Sequence, residues 1–232
     1  MIVKVCGMRV AANIREISQL DVDWIGLVFV PDSPRFVKQV SARGGFYPDY
    51  SSFAKKVSEL GGLPEVAKRV NKPQRVGVFV DDMPQTIVQR VFNFSLDYVQ
   101  LHGEELPVMI DNLRRTLEDI RKVKIIKTIF VENADDFKQC KDYEPLVDYF
   151  LFHTKSEAKG GTGERFDWSI VDAYDGEVPF LLSGGIKLED AECIKAIKHP
   201  KFAGVDINSC FEIEPGVKDA EKVRQFVEKV KA

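Results

Sequence analysis

The chain has 232 residues, 44% of them hydrophobic and 30% charged, with a formal net charge of −3. That length buries a substantial core without disulfide or metal staples, and the balance of charge carries no electrostatic footprint for nucleic acid or an anionic membrane. The four cysteines, Cys6, Cys140, Cys193 and Cys210, are far apart and form no C-x-x-C, which argues against a structural zinc site and a disulfide framework. With no basic n-region, long apolar h-region or membrane-spanning run, the expected compartment is the reducing cytoplasm. Cys140 and Cys193 fall on helical patterns and read as packing residues.

Short apolar runs alternate with amphipathic stretches along the whole chain. The predicted strands are Ile2–Cys6, Trp24–Val30, Arg75–Val80, Asp97–Leu101, Lys124–Ile129, Asp148–His153, Val178–Ser183 and Phe202–Ile207. Most are continuous Val/Ile/Leu/Phe stretches, as in strands covered on both faces. The predicted helices are Ala11–Leu20, Ser52–Val70, Pro84–Phe94, Glu105–Arg121, Asn133–Lys141, Asp167–Tyr174, Leu188–Lys198 and Asp219–Lys231, with Pro84 and Asn133 as helix-start signals. About eight βα units in series predict an α/β fold, a single-domain (β/α)8 TIM barrel over residues 1–232. An open doubly wound sheet would usually have fewer strands, and no G-x-G-x-x-G follows the first strand. The Gly- and Pro-rich segment Ser41–Pro73 is long for one connection and reads as a broken second helix with surface excursions.

In such a barrel, chemistry collects at the C-terminal ends of the strands and in the loops after them. Leu182-Ser183-Gly184-Gly185-Ile186 and Gly204-Val205-Asp206-Ile207-Asn208-Ser209 each end an apolar run in small polar residues before a helical pattern, as expected of two adjacent loops that bind a phosphate. Cys6, before Gly7, is a base or nucleophile if its pKa is lowered, or else a small buried hydrophobe. Arg35, in the proline-stiffened Pro31-Asp32-Ser33-Pro34-Arg35, suits a carboxylate or phosphate; otherwise it is a surface arginine. His153 and His102 end the sixth and fourth strands, where each is a proton donor or acceptor, or a histidine satisfied by its neighbours. Gln100 shares a strand face with His102 and lines the same wall. Asp81 and Lys127 sit at strand ends too. Gly160-Gly161-Thr162-Gly163, flanked by Lys155, Lys159 and Arg165, reads as a phosphate loop or lid, or as a plain connector.

Taken in order, several pieces resemble phosphoribosylanthranilate isomerase. They are Lys4-Val5-Cys6-Gly7-Met8, Gly26-Leu27-Val28-Phe29 with Ser33-Pro34-Arg35, Val76-Gly77-Val78-Phe79-Val80, Val99-Gln100-Leu101-His102-Gly103, Gly160-Gly161-Thr162-Gly163 with Phe166-Asp167-Trp168, the two phosphate-loop motifs, and Pro215-Gly216-Val217-Lys218-Asp219. The resemblance runs from the first strand to the last helix. It implies a (β/α)8 barrel of tryptophan biosynthesis that performs an Amadori rearrangement of N-(5′-phosphoribosyl)anthranilate to 1-(2-carboxyphenylamino)-1-deoxyribulose 5-phosphate without cofactor or metal. It implies Cys6 as the general base at C2′ and Arg35 on the anthranilate carboxylate. The 5′-phosphate falls to Ser183, Gly184, Gly185, Asn208 and Ser209, helped by the loop holding Gly161 and Gly163; Gln100, His102 and Asp206 line the polar part of the site. The implied partner is a small phosphosugar, with association with other enzymes of the pathway left open, and neither nucleic acid nor membrane is expected.

Two positions depart from that family's pattern. His153 stands where the family usually has an aspartate as general acid, and Cys210 where it usually has glycine. His153 is expected to replace the aspartate as acid, with an altered pH profile, and as a cation to lower the Cys6 pKa; Cys210 is expected to crowd the phosphate. The alternatives are a barrel that binds the phosphosugar with impaired or absent turnover, and an aminoaldose isomerase of the histidine pathway, whose substrates carry two phosphates where only one phosphate site is evident here.

Overall fold

A computed structural model describes residues 1–42, 45–48, 73–118, 121–154 and 168–232. Eight parallel strands close into a barrel: β1 (Ile2–Val5), β2 (Trp24–Val28), β5 (Gln74–Phe79), β6 (Tyr98–Leu101), β7 (Lys124–Val131), β8 (Tyr149–Thr154), β9 (Phe180–Ser183) and β10 (Phe202–Ile207). Each pairs with its successor in the chain, and β1 closes the ring on β10 with Lys4 opposite Asp206. Two hairpins lie outside the barrel, β3 (Gln39–Ala42) with β4 (Gly45–Pro48) and β11 (Glu212–Glu214) with β12 (Val217–Lys218). Among the described residues no helix is long and apolar enough to cross a membrane.

The eight predicted strands are all present, within a residue or two at their ends, and Pro84–Phe94 is a helix at the predicted bounds. Other predicted helices differ. Pro107 starts the helix Pro107–Glu118, so Glu105 is left in the loop before it. Asn133 does cap an N-terminus, but of the 3-10 segment Ala134–Gln139 with a four-residue α-helix behind it. Asp167–Tyr174 is represented by the 3-10 turn Trp168–Ala173, and Leu188–Lys198 by a 3-10 turn and the short helix Ala191–Lys195. An aromatic cluster fills the layer beneath these short segments: Phe152 packs on Phe137, Tyr174 and Phe180 at ring distances of 4.8, 5.0 and 4.6 Å. The start of the irregular segment overlaps the β3–β4 hairpin, which patterning missed; the predicted helix Ser52–Val70 lies outside the described residues.

Successive residues of a strand point to opposite faces, and that period of two organises the molecule. One set of residues packs between strands and helices in the main core, including Val3, Val5, Leu27, Phe79, Val99, Phe150, Phe152 and Leu182. The alternate set packs with itself inside the barrel: Trp24, Val76, Tyr98, Ile126, Leu151 and Leu181 fill the N-terminal end. Further along the same strands the inner set turns smaller and polar, and there a cavity opens.

Phe152 and His153 are neighbours on opposite faces of β8. We predict that Phe152→Ala costs about 3–5 kcal/mol in urea unfolding, whereas His153→Ala changes stability by less than about 1 kcal/mol. Equal losses would mean that the two faces are misassigned.

Candidate active site

The cavity at the C-terminal mouth has a volume of about 300 Å3. Alternation explains its lining. Cys6 continues the Ile2, Lys4 face of β1; Gln100 on β6 and His102 just after it lie two apart; His153 follows Leu151 on β8; Asp206 and Asn208 lie two apart at the end of β10. Val28, Val30, Val78 and Val80 form an apolar wall, and Ser33 and Arg35 reach in from the loop after β2. Ser183, Gly184, Gly185, Ser209 and Cys210 supply the opposite corner. Gly184 and Gly185 have φ of 106° and 60°, left-handed values that favour glycine and turn the backbone sharply after β9. Every expected site residue thus lines one cavity, except Gly161 and Gly163, which lie outside the described residues together with the Gly160–Gly163 loop and its basic flanks.

Two strand-end candidates do something else. Lys127 sits one residue off the inner face of β7, where Thr128 points inward, and it is buried between the strands and the outer layer; its ammonium donates to Glu105 Oε2 at 2.9 Å and to the Gly103 carbonyl at 2.6 Å. Asp81, at φ 50°, accepts from the Glu104 N–H at 2.8 Å. Both fasten the loop after β6 and leave the pocket to others. Cys140 is buried as expected, but Cys193 is exposed: the helix Ala191–Lys195 buries Ala191 and Ile194 and leaves Cys193 on its outer face.

Beneath Cys6 lies a buried ion pair, Lys4 Nζ to Asp206 Oδ2 at 2.9 Å, with both side chains almost inaccessible. Burial alone would lower the Lys4 pKa, but Asp206 and Cys6 beside it hold the ammonium above the ordinary lysine value. Burial pushes the Cys6 thiol up, with Lys4 and Lys218 pulling against it and Asp206 adding to it. Burial lowers His153 against the attraction of Asp206. The expectation that a charged His153 depresses Cys6 therefore fails for the resting site: both groups favour their neutral forms, because the barrel mouth desolvates them. His102 is pushed down to about 3, by burial and then by His153, Lys4 and Lys127. Its Nδ1 lies 3.0 Å from Gln100 Nε2 and 2.9 Å from Thr128 Oγ1. The amide donates, so the ring proton of neutral His102 is on Nε2. His102 and His153 stack edge to face at 5.6 Å, and Phe130 meets each of them at 5.4 Å.

Three buried polar atoms of this lining, Gln100 Oε1, His153 Nδ1 and Asp206 Oδ1, have no hydrogen-bond partner among the described residues. Stranded buried polar atoms are costly, and clustered in a cavity they mark where a polar ligand fits.

At the other side, Arg35 Nε and Nη2 grip the two carboxylate oxygens of Glu212, at 2.8 Å for Nε. Lys218 Nζ donates to the same carboxylate at 2.6 Å and to Asn208 Oδ1 at 2.7 Å. Burial would raise Glu212, but these hydrogen bonds bring it down to about 2. Asn208 Oδ1 is therefore already occupied, which leaves its Nδ2 for a ligand. Gly7, at φ 74°, makes room for this corner: a Cβ there would lie 2.6 Å from both Arg35 Cδ and Asn208 Oδ1. Cys210 turns its Sγ to the Gly185 carbonyl at 3.7 Å, joining the two candidate phosphate loops. Lys4, Glu212 and Lys218 were missed as functional residues. Lys4 was findable, two places before Cys6 on one strand face; Glu212 and Lys218 meet only through the β11–β12 hairpin, whose signal is Glu214-Pro215-Gly216.

Comparison with known proteins follows the same line. Residues 49–229 match the family model described as N-(5'phosphoribosyl)anthranilate (PRA) isomerase. The chain is 41% identical over 230 residues to the N-(5'-phosphoribosyl)anthranilate isomerase of Parabacteroides distasonis, covering 99% of this chain and 93% of that one. It is 36% identical over 236 residues to the enzyme of the same name from Phocaeicola vulgatus, covering 100% and 98%. Among solved structures it resembles phosphoribosyl anthranilate isomerase in complex with reduced 1-(o-carboxyphenylamino)-1-deoxyribulose 5-phosphate, with a TM-score of 0.71, 28% identity and coverage of 100% and 99%. The Thermotoga maritima enzyme gives 0.71, 29% and the same coverage.

The buried histidines predict a pH dependence of stability. Their folded pKa values lie below the ordinary 6.5, so the unfolded chain takes up their protons first as pH falls. Stability should therefore drop below pH 6.5, and for His102 continue dropping toward pH 3, by about 1.4 kcal/mol per pH unit for each histidine. Urea unfolding at pH 7 and 5.5 should show that His102→Gln removes about one histidine's share of that slope; an unchanged slope would contradict the assignment.

Proposed function

The chain belongs to the N-(5′-phosphoribosyl)anthranilate isomerase family, and we propose that its pocket performs that isomerisation with Cys6 as base and His153 as acid. The activity is an intramolecular rearrangement in tryptophan biosynthesis, on a small phosphosugar substrate. The comparisons lend no support to the alternative of a phosphosugar-binding barrel without turnover.

The observation that carries the division of roles is the placing of Cys6 and His153 on separate walls of one cavity, on strands three apart around the eight-strand ring. The rearrangement needs a proton delivered to the furanose ring oxygen as the C1′–O bond opens, and a proton taken from C2′ of the resulting iminium. A neutral thiol and a neutral imidazole hold the right number of protons in the wrong places. Moving one proton from Cys6 to His153 yields the productive thiolate and imidazolium. The fixed charges favour that form: Lys4 and Lys218 attract the thiolate, and Asp206 attracts the imidazolium. The imidazolium then protonates the ring oxygen and the thiolate removes the C2′ proton, leaving an enolamine that tautomerises to the aminoketose.

Substrate ends are assigned by charge and shape. Arg35 retains Nη1 for the anthranilate carboxylate, since Nε and Nη2 are taken by Glu212. The valine wall suits the ring. The turn at Gly184 and Gly185, with Ser183, Ser209 and Asn208 Nδ2, suits the 5′-phosphate, an anchor remote from the reacting carbons whose binding energy positions them. Gln100 Oε1 and Asp206 Oδ1 are free to accept from sugar hydroxyls. Gly161 and Gly163 are assigned to the phosphate side on the family resemblance alone. We also place the enzyme in the cytoplasm, because a base that works as a thiolate must stay reduced.

Steady-state turnover, followed by loss of anthranilate fluorescence, tests the roles. Cys6→Ser is expected to abolish turnover while still binding reduced product. His153→Ala should lower kcat by about 10²–10⁴-fold with KM little changed, and His153→Asp should keep turnover while moving the acid limb of kcat to lower pH. A His153→Ala enzyme with wild-type kcat would overturn the assignment of the acid.

A further inference from the structure

The Arg35 corner contains two cations and one carboxylate. Glu212 accepts from Arg35 through both of its oxygens and from Lys218 through one of them. Lys218 Nζ has three acceptors: Glu212 Oε1 at 2.6 Å, Asn208 Oδ1 at 2.7 Å and the Asn208 carbonyl at 3.3 Å. Three acceptors match the three protons of an ammonium, and the side chain is fully inaccessible. Buried Asn13 fixes its backbone on both sides, accepting from the Lys218 N–H at 2.7 Å and donating to its carbonyl at 2.9 Å. A lysine so tightly held cannot swing out to touch a ligand.

The charge count shows what it does. Arg35 and Glu212 alone are a neutral bidentate pair, closed to a second carboxylate because Glu212 repels it. With Lys218 the cluster carries one uncompensated positive charge, buried at Lys218 and Glu212 and reaching the cavity at half-buried Arg35. We propose that Lys218 is a specificity-determining residue of the isomerase: it supplies the net charge that makes the Arg35 corner a receptor for the anthranilate carboxylate, and through Asn208 it ties that corner to the phosphate loop. This rests on the reading of Arg35 as the carboxylate contact. Lys218 is a positioning residue, acting on the ligand through Glu212, Arg35 and Asn208.

The charge count generates its own test. The probes are reduced 1-(o-carboxyphenylamino)-1-deoxyribulose 5-phosphate and the same compound without its ring carboxylate, titrated calorimetrically. Wild type should prefer the carboxylated probe by about tenfold or more. Lys218→Met takes the cluster to zero charge and should cut that preference to less than about threefold. Glu212→Gln takes it to two positive charges and should strengthen the preference. The double variant returns it to one, and the preference should return with it, which loss of a merely structural lysine would not produce. A Lys218→Met protein with the wild-type preference, or a double variant without recovery, overturns the proposal. If Lys218→Met does not fold, Glu212→Gln decides: an unchanged or weaker preference overturns it. Arg35→Gln separates the two levels. If Arg35→Gln keeps the preference, the reading of Arg35 is wrong; if it loses the preference while Lys218→Met keeps it, only the role of Lys218 is wrong.

Discussion

A closed parallel barrel leaves no strand face open to water, so each strand must satisfy two buried surfaces with residues of alternating address. Much else in this molecule depends on that constraint. Trp24, Val76, Tyr98, Ile126, Leu151 and Leu181 fill the inner face at one end. Two or four residues beyond Tyr98 and Leu151 the inner positions become Gln100, His102 and His153, and Cys6 after β1 and Asp206 on β10 join them at the same mouth. The site is the inner core continued in polar residues. Its geometry is set by strand register, such as Lys4 against Asp206 across the closing seam, and its side chains stand on the stiffest elements of the fold.

The same burial that fixes these groups also opposes their ionisation. Desolvation raises Cys6 and lowers both pocket histidines, so an acid–base pair here needs fixed charges to pull it apart. Lys4 and Asp206 do this from below, each held by the other. At the rim Arg35, Glu212 and Lys218 form a second charged cluster, in which one carboxylate organises two cations. A neutral lower pair beside the reacting groups and a positive rim cluster beside an anionic substrate together divide the electrostatic work between catalysis and binding.

The parts legible in the sequence were those with a local signature. Eight β-rich runs separated by helical patterns indicate the barrel, and strand-end placement alone selects Cys6, Gln100, His102, His153 and Asp206. Lys127 shows the limit of that rule: it ends no inner face, and only the phase of the alternation, fixed by Ile126 and Thr128, separates it from the site. The 3-10 turns after β7, β8 and β9 were read as full helices because a short amphipathic run, of three to six residues, looks alike in either form. The Arg35–Glu212–Lys218 cluster was not legible at all. Its members are 177 and 6 positions apart, joined by a hairpin too short to leave a strand pattern, and no propensity encodes their meeting. The ionisation of Cys6 and His153 was not legible in the sequence either, since reference pKa values omit burial.

The central claim is that Cys6 removes the C2′ proton. Its most direct test is turnover of N-(5′-phosphoribosyl)anthranilate deuterated at C2′, with mass spectrometry of both the remaining substrate and the product. Wild type should lose the label from C2′ on every turnover, while Cys6→Ser, still able to bind reduced product, should leave it in place. Loss of the label at the wild-type rate in Cys6→Ser would contradict the account.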